Sequence, residues 1–464
     1  MKAKVVALAF VFLLSLACKL LYVRTHEMDN FVIVDARAYH EMADNLINGV
    51  GYFEGSAEDG FRDGIKRASP LQVFFMAGIY RLFGVDPWNV IYAQVLLASS
   101  LCIILYATME TLTNDWKVSF QCSLIGAFFP DFTILCGVMV PETLTFFLLA
   151  LFALLASSAR IDPLSGRRVV RQKSAAAIIL IGLVSGLLTL ARPQFLPVGI
   201  LFFAFLALRS WKDGKWPSWP LWGGCLVFLG VLAPFTARNY LKYQEIIYAS
   251  TTLSCNILVG NQLNGDGEYH LTQTTRELLL PGRREGPIEQ RDRCKEELGR
   301  LVSGHPSHVL KMLLVKFFKV FSASRTTAGW FHITSKFERL SVQLLDSFIY
   351  LILFSFSISY MLRQRRLLRG TLLGGEAGFF FLLVASSCLT VAVLTIMYFN
   401  QRYRVALLVL FIPAAVLEFR VIMAERLDLG NFWPLPRLLF SAGLVSIFTF
   451  VEIVIDWNLY MEAV

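Results

Sequence analysis

Three carboxylates and four basic residues have the types and placement for acid–base chemistry on a phosphate-linked substrate: Asp35, Asp131 and Glu142, with Lys66, Arg67, Arg402 and Arg404. An alcohol is a poor nucleophile at neutral pH until a positioned base takes its proton, and a carboxylate can do that. Cations placed where charge grows on a departing phosphate stabilise it. Asp35 opens the stretch VDARAYHEMADNLINGVGYFEG, Val34 to Gly55, directly after the first hydrophobic run. Behind it Tyr39, Met42, Ala43, Leu46, Ile47 and Val50 recur at three- and four-residue steps, which predicts a short helix with one apolar face. Arg37, His40, Glu41, Asp44 and Asn45 fall largely on the other face. Such a helix lies in the membrane interface, apolar side down, and holds Asp35 at headgroup depth. The plainer reading of Asp35 is a helix N-cap.

The other candidates carry paired readings too. Ile65-Lys66-Arg67-Ala68-Ser69-Pro70 precedes an apolar stretch, Leu71 to Phe83, that is too short to span and reads as an interfacial or re-entrant helix with Pro70 in its first turn. Two cations beside helix-terminal N–H groups suit a phosphate; they equally suit anchoring to lipid headgroups. Asp131 and Glu142 flank a short outer turn, where a carboxylate costs less than at mid-membrane and burial alone demands no function. Arg402 and Arg404, in Asn400-Gln401-Arg402-Tyr403-Arg404, return two cations to the same surface; arginines at a span end also snorkel. There is no metal-spaced His/Cys cluster, no P-loop and no glycine-rich nucleotide fingerprint, and His305 and His308 read as helix-end residues.

The elements that position these residues are membrane spans. The chain has 464 residues, 56% of them hydrophobic, and a mean hydropathy of +0.58. Apolar runs of about 18 residues or more recur along it, the length that crosses a bilayer. This excludes a soluble protein and predicts an all-α polytopic membrane protein. The expected spans are 5–23, 89–112, 118–136, 142–158, 175–191, 195–209, 220–236, 343–362, 377–398, 403–420 and 437–456, eleven in all. The N-terminus resembles a signal peptide, but apolar character resumes through Leu20 to Val23, giving an uncleaved first span with its start inside. Arg160, Arg167, Arg168, Arg171 and Lys173, then Arg209, Lys212 and Lys215, then Arg363, Arg365, Arg366 and Arg369 form inside clusters. The formal charge of +9 therefore reads as positive-inside loops, with no nucleic-acid partner.

Segments 24–87 and 237–342 then face outward, dividing the chain into an N-terminal membrane module (1–236), an outer region (237–342) and C-terminal helices (343–464). In the outer region Thr251 to Tyr269 reads as a β-branched, Asn/Gly-rich loop. IEQRDRCKEELGRLVSGHP reads as a helix burying Cys294, Leu298, Leu301 and Val302. Val309 to Phe321, carrying Lys311, Lys316 and Lys319, reads as a surface or partly inserted helix. Cys255 and Cys294 share this region and can pair if it faces an oxidising compartment, which their spacing does not decide.

The order of features resembles the GT-C superfamily of membrane glycosyltransferases, in the bacterial branch related to protein O-mannosyltransferases and the lipid A aminoarabinose transferase (family 39-like). Eight pieces carry the resemblance in order: VDARAYHEMADNLINGVGYFEG, KRASPLQVFFMAGIYRLFG, FPDFTILCGVMVPETLTFFLLALFALL, GLLTLARPQF, TARNY, NILVGNQLNGDGEY, LVSGHPSHVLKMLLVKFFKVFS and NQRYRVALLVLFIP. The resemblance implies inverting transfer of a sugar from a polyprenyl-phosphate carrier to a hydroxyl of a glycan, lipid or protein. The reaction is expected on the outer face of a bacterial inner membrane. It implies Asp35 as base, Glu142 or Asp131 as second acid, and Lys66 or Arg67, with Arg402, as phosphate ligands; Arg404 is a further phosphate-binding candidate. Tyr39, Arg238, Asn239 and Asn261 are substrate-binding candidates. A divalent metal ion is left open as a cofactor, with no metal ligand assigned. Asp35 is followed by Ala36, where the protein mannosyltransferases carry a second acid, and Ile65 stands where the lipid A enzyme has one. Two other classes remain: a flippase for a lipid-linked glycan, predicting a polar path and internal symmetry, and a non-catalytic scaffold, predicting that Asp35 is dispensable.

Overall fold

Proline sets several of the helix starts. Pro70, Pro87, Pro130, Pro287 and Pro306 each occupy the first turn of a helix, where their missing N–H has no intrahelical partner to lose. The computed structural model describes residues 2–25, 34–57, 60–67, 69–158, 168–212, 219–279, 286–323, 336–364, 375–427 and 434–455. Among them the N-terminal half folds as α1 (Lys2–Thr25), α2 (Val34–Ile47), a ribbon of β1 (Phe53–Glu54) and β2 (Arg62–Asp63), α3 (Pro70–Phe83) and α4 (Pro87–Thr113). It continues with α5 (Trp116–Phe128), α6 (Pro130–Cys136), α7 (Glu142–Ser158), α8 (Arg168–Ala191), α9 (Leu196–Lys212) and α10 (Trp219–Tyr243). The segment 237–342, expected to face outward, holds α11 (Leu253–Asn261), α12 (Gln273–Leu279), α13 (Pro287–Gly304) and α14 (Pro306–Phe321). Then come α15 (Lys336–Gln364), α16 (Gly375–Ile396), α17 (Gln401–Val405), α18 (Leu408–Leu427) and α19 (Pro434–Ile455).

The chain is an all-α polytopic membrane protein. Seven helices among the described residues are long and apolar enough to cross a bilayer, or eight counting the bent pair α5–α6 as one. Four of the eleven expected spans are not among these seven: 175–191 is a shorter apolar helix, the end of α8, and the other three take another form. The expected span 118–136 is broken by 45° at Phe129, because the residue before a proline avoids the helical region and Phe129 is extended. The break strips the Ala127 carbonyl of its helical partner, and Lys19 of α1 supplies one: its ammonium donates to Ala127 O at 2.6 Å and to Ser15 Oγ at 2.8 Å. The expected span 403–420 is likewise divided into α17 and α18, whose start is wholly buried. The span 142–158 is α7, about 25 Å long and covered by α4, α8, α16 and α18, so it lies inside the bundle. The tightest pairing is α8 against α10: a Cβ on Gly182 would sit 2.1 Å from the Gly224 carbonyl, so only glycine lets these backbones approach.

The inside clusters fall partly outside the described residues, at Arg160, Arg167, Lys215, Arg365, Arg366 and Arg369. In the segment 237–342, the expected loop 251–269 instead begins as α11, because Cys255, Leu258 and Val259 form a buried stripe at helical spacing. Cys255 and Cys294 are disulfide-bonded, joining α11 to α13. Leu298 and Leu301 pack beside the bond, but Val302 is exposed. With a sequence separation of 39 between the two cysteines, removing the crosslink by Cys255→Ala and Cys294→Ala should lower the stability of this region by about 4 kcal/mol on the chain-entropy relation. Limited proteolysis within 253–304, wild type against double variant, measures it.

Candidate active site

The apolar face of α2 meets protein, not lipid. Tyr39, Met42 and Ala43 are buried, and α2 packs on α3. Its polar face organises the next segment: Asn45 donates to the Phe53 and Gly55 carbonyls, and Glu41 accepts the Gly55 N–H. Gly55 has φ +97°, and a Cβ there would lie 2.7 Å from the Gly60 carbonyl, so the ribbon closes only with glycine at this position. This glycine-rich stretch is thus a built antiparallel ribbon, and it carries Glu54 and Asp63 to opposite partners.

Asp63 pins the hairpin to the end of α10. Arg238 donates to both its oxygens, at 3.1 and 2.8 Å, and Lys242 contacts Oδ2. Burial pushes the Asp63 carboxyl up, but these cations outweigh it and hold it below the usual range. Asn239 accepts from Arg238 and donates to the Ile247 carbonyl. Arg238 and Asn239 therefore fasten the loop.

Glu54 faces the site. From it runs a chain of alternating charge. Arg67 donates to Glu54 at 2.7 and 3.0 Å and to Asp35 Oδ1 at 3.3 Å. Arg402 lies 3.8 Å from Asp35 Oδ2 and 3.8 Å from Glu142 Oε1. Arg192 closes the chain with an ion pair to the same Glu142 oxygen. Burial disfavours the Arg67 cation, and Glu54 more than restores it, so its pKa is raised. Asp35 is the most open of the six, its side chain 40% exposed against 2% for Glu142. Arg67 was expected at the start of α3; the structure instead turns it toward Asp35, with Lys66 ending the preceding 3-10 turn. Tyr39 lies buried beneath, its phenol pushed up by burial and by Asp35.

An aromatic wall stands over the deep end. Tyr398 and Tyr403 share a hydroxyl contact of 2.7 Å, Tyr269 packs edge-on against Tyr398, and Arg192 sits 4.5 Å from the Tyr403 ring centre. This wall is braced from behind by α14. Lys316 donates to Asn261 Oδ1 and to the carbonyls of Ile396 and Met397, and Lys319 donates to Glu268. Asn261 therefore belongs to this brace. Two of the three lysines of α14 point inward, Lys316 to the carbonyls exposed where α16 ends and Lys319 to Glu268 and the Asp266 carbonyl, while Lys311 is exposed. Burial pushes the Lys316 pKa down to about 7. An unfolded lysine keeps its proton to about pH 10.4, so between these values the unfolded chain binds more protons and stability rises with pH. Raising the pH from 7 to 10 should therefore raise the melting temperature of wild type relative to Lys316→Met, with little relative change below 7.

Two candidates lie elsewhere. Asp131 accepts the Tyr350 hydroxyl at 2.6 Å and neighbours Asp346. Arg404 lies over the Tyr350 ring and donates to the carbonyls of Lys319, Val320 and Ser322. Both are fully buried, and together they form a second polar cluster. The structure thus brings together Asp35, Glu142, Arg67 and Arg402, and adds Glu54, Arg192 and the three tyrosines. Arg192 carried a signal in sequence, as a charged residue between two apolar runs. Among the described residues no three metal-ligating side chains converge. The carboxylates here face guanidinium groups, a donor set that does not fit a divalent cation.

No protein-family model matches the sequence, and no curated protein matches it. Solved structures do. An oligosaccharyltransferase of Archaeoglobus fulgidus tethered to an acceptor peptide aligns with 98% of this chain at 14% identity and a TM-score of 0.51. The archaeal AglB in complex with an inhibitory peptide and a dolichol-phosphate aligns at 14% identity and 0.49, and ArnT of Cupriavidus metallidurans bound to undecaprenyl phosphate at 10% and 0.40. The match covers 92% of this chain and 80% of ArnT. The chain spans about half, 55%, of the archaeal chains it matches. On the first of these likenesses, the protein has the GT-C fold.

Proposed function

We propose that this protein is an inverting glycosyltransferase that moves a sugar from a polyprenyl-phosphate carrier to an acceptor hydroxyl at the outer face of a bacterial inner membrane. The observation that carries this reading is the position of Asp35: it is the open member of a six-residue charge chain, and its two neighbours are guanidinium groups. Arginine is suited to phosphate recognition through its planar donors. Arg67 and Arg402 are each backed by a second acid, Glu54 and Glu142, so they stay charged and oriented.

The donor phosphate takes Arg67 and Arg402 from Asp35, with Lys66 alongside. The released carboxylate accepts the acceptor's hydroxyl proton as that oxygen attacks the anomeric carbon. The bond from this carbon to the phosphate oxygen breaks, and its electron pair stays on the phosphate, leaving a polyprenyl phosphate monoester. The added charge meets the arginines, which act most strongly at that moment. One displacement inverts the anomeric centre. The disulfide between α11 and α13 accords with an oxidising outer compartment.

The test is transfer by purified protein in nanodiscs, offered polyprenyl-phosphate sugars of several kinds with mixed hydroxyl acceptors. Product of inverted anomeric configuration together with polyprenyl phosphate is expected. Absence of transfer from every donor, with no donor binding, would overturn the reading.

A further inference from the structure

The inner end of the charge chain holds an unsatisfied acceptor. Both arginines approach Glu142 through Oε1, while Oε2 is buried and has no hydrogen-bond partner among the described residues. A buried carboxylate oxygen without a donor costs more than a neutral group in that state. Glu142 lines a small cavity together with Thr145, Arg192, Gln194, Arg402 and Tyr403. The space is about 10 Å3, room for one water-sized group. A second anion is unsuited to it, because Oε2 carries charge of the same sign. A neutral hydroxyl fits: its O–H donates to Oε2, and its oxygen faces donors on the cavity wall.

We propose that this cavity is a sugar-hydroxyl subsite, in which Glu142 Oε2 accepts a hydrogen bond from a hydroxyl group of the transferred sugar. The inference rests on the donor class proposed above and adds what selects the sugar. Arg402 touches both Asp35 and Glu142, so it couples the open carboxylate to the subsite. Arg192, held against Tyr403, holds the carboxylate through Oε1 and leaves Oε2 without a donor. Glu142 is in this reading a specificity-determining residue, with proton transfer left to Asp35.

The experiment compares binding of two lipids to the purified full chain in nanodiscs: bare undecaprenyl phosphate and undecaprenyl phosphates carrying single hexoses. Wild type is expected to bind at least one sugar-bearing lipid more tightly than the bare one. In Glu142→Gln and Gln194→Leu that preference, taken as the ratio of the two affinities in each protein, should fall about tenfold, the scale of one hydrogen bond to a charged group; bare-lipid binding by Gln194→Leu should stay within about twofold of wild type and serves as the folding control. A monodeoxy donor lacking the seated hydroxyl should bind wild type as weakly as the intact donor binds Glu142→Gln. Equal losses for both lipids would make Glu142 only a support for the arginines and overturn the subsite. An unchanged preference would leave the cavity to water and overturn it too. If wild type binds neither lipid, the donor reading itself fails and the subsite fails with it.

Discussion

Asp35→Asn should abolish sugar transfer while leaving donor binding intact. Amide for carboxylate preserves shape and still offers an oxygen to Arg67, but it cannot take a proton from the acceptor. Loss of a general base lowers the rate by about 10²- to 10⁴-fold. Binding should move the other way or not at all: Arg67 and Arg402 lose one neutralising partner and become better ligands for an incoming phosphate. The informative pair of measurements is therefore initial rate under saturating donor and bare polyprenyl-phosphate affinity, made on the same preparation. Undiminished turnover would remove Asp35 as the base and make Glu142 the next carboxylate to test, which would also conflict with the hydroxyl subsite assigned to it.

Arg402 should be the most sensitive of the cations. It is 4% exposed and lies between two carboxylates that have no direct contact with each other. Arg402→Met is expected to weaken polyprenyl-phosphate binding by about 10- to 100-fold, the equivalent of one or two charge-assisted hydrogen bonds. It should also lower the melting temperature, because Asp35 and Glu142 each lose a cation and Glu142 is buried. Arg402→Lys keeps the charge but concentrates it at one point, which cannot serve both carboxylates, so rescue should be partial. Lipid affinity and thermal unfolding of the three proteins in one detergent give both quantities. Wild-type affinity in Arg402→Met would exclude it from the phosphate site.

The residues found from sequence share a property: Asp35, Arg67, Glu142 and Arg402 all flank apolar runs, where one dimension of the chain already fixes their depth in the membrane. What depth does not fix is who faces whom. Asp131 and Glu142 bracket the same turn, yet the break at Phe129 turns Asp131 toward Tyr350, 219 positions away, and leaves Glu142 to meet Arg192. Arg404 is two residues from Arg402, and this short step in α17 sends it to the opposite cluster. Glu54 was hidden by its setting, a glycine-rich stretch with no helical period, where pairing of β1 with β2 rather than any local pattern gives it direction. Lys316 and Lys319 of α14 misled in the usual way: charge on an apolar helix reads as solvent-facing unless the acceptors waiting for it are known.

The contact between Lys19 and the Ala127 carbonyl has a consequence for biogenesis. A newly made α1 carries its ammonium into lipid with no acceptor except its own Ser15. The acceptor it needs does not exist until α5 and α6 have been synthesised and bent apart, about a hundred residues later. Until then α1 is held toward the interface, and the Ala127 carbonyl at the break is equally unsatisfied without it. Each defect cures the other. The first helix and the broken pair are therefore expected to leave the insertion machinery as partners, which makes the order of assembly a property written into one lysine.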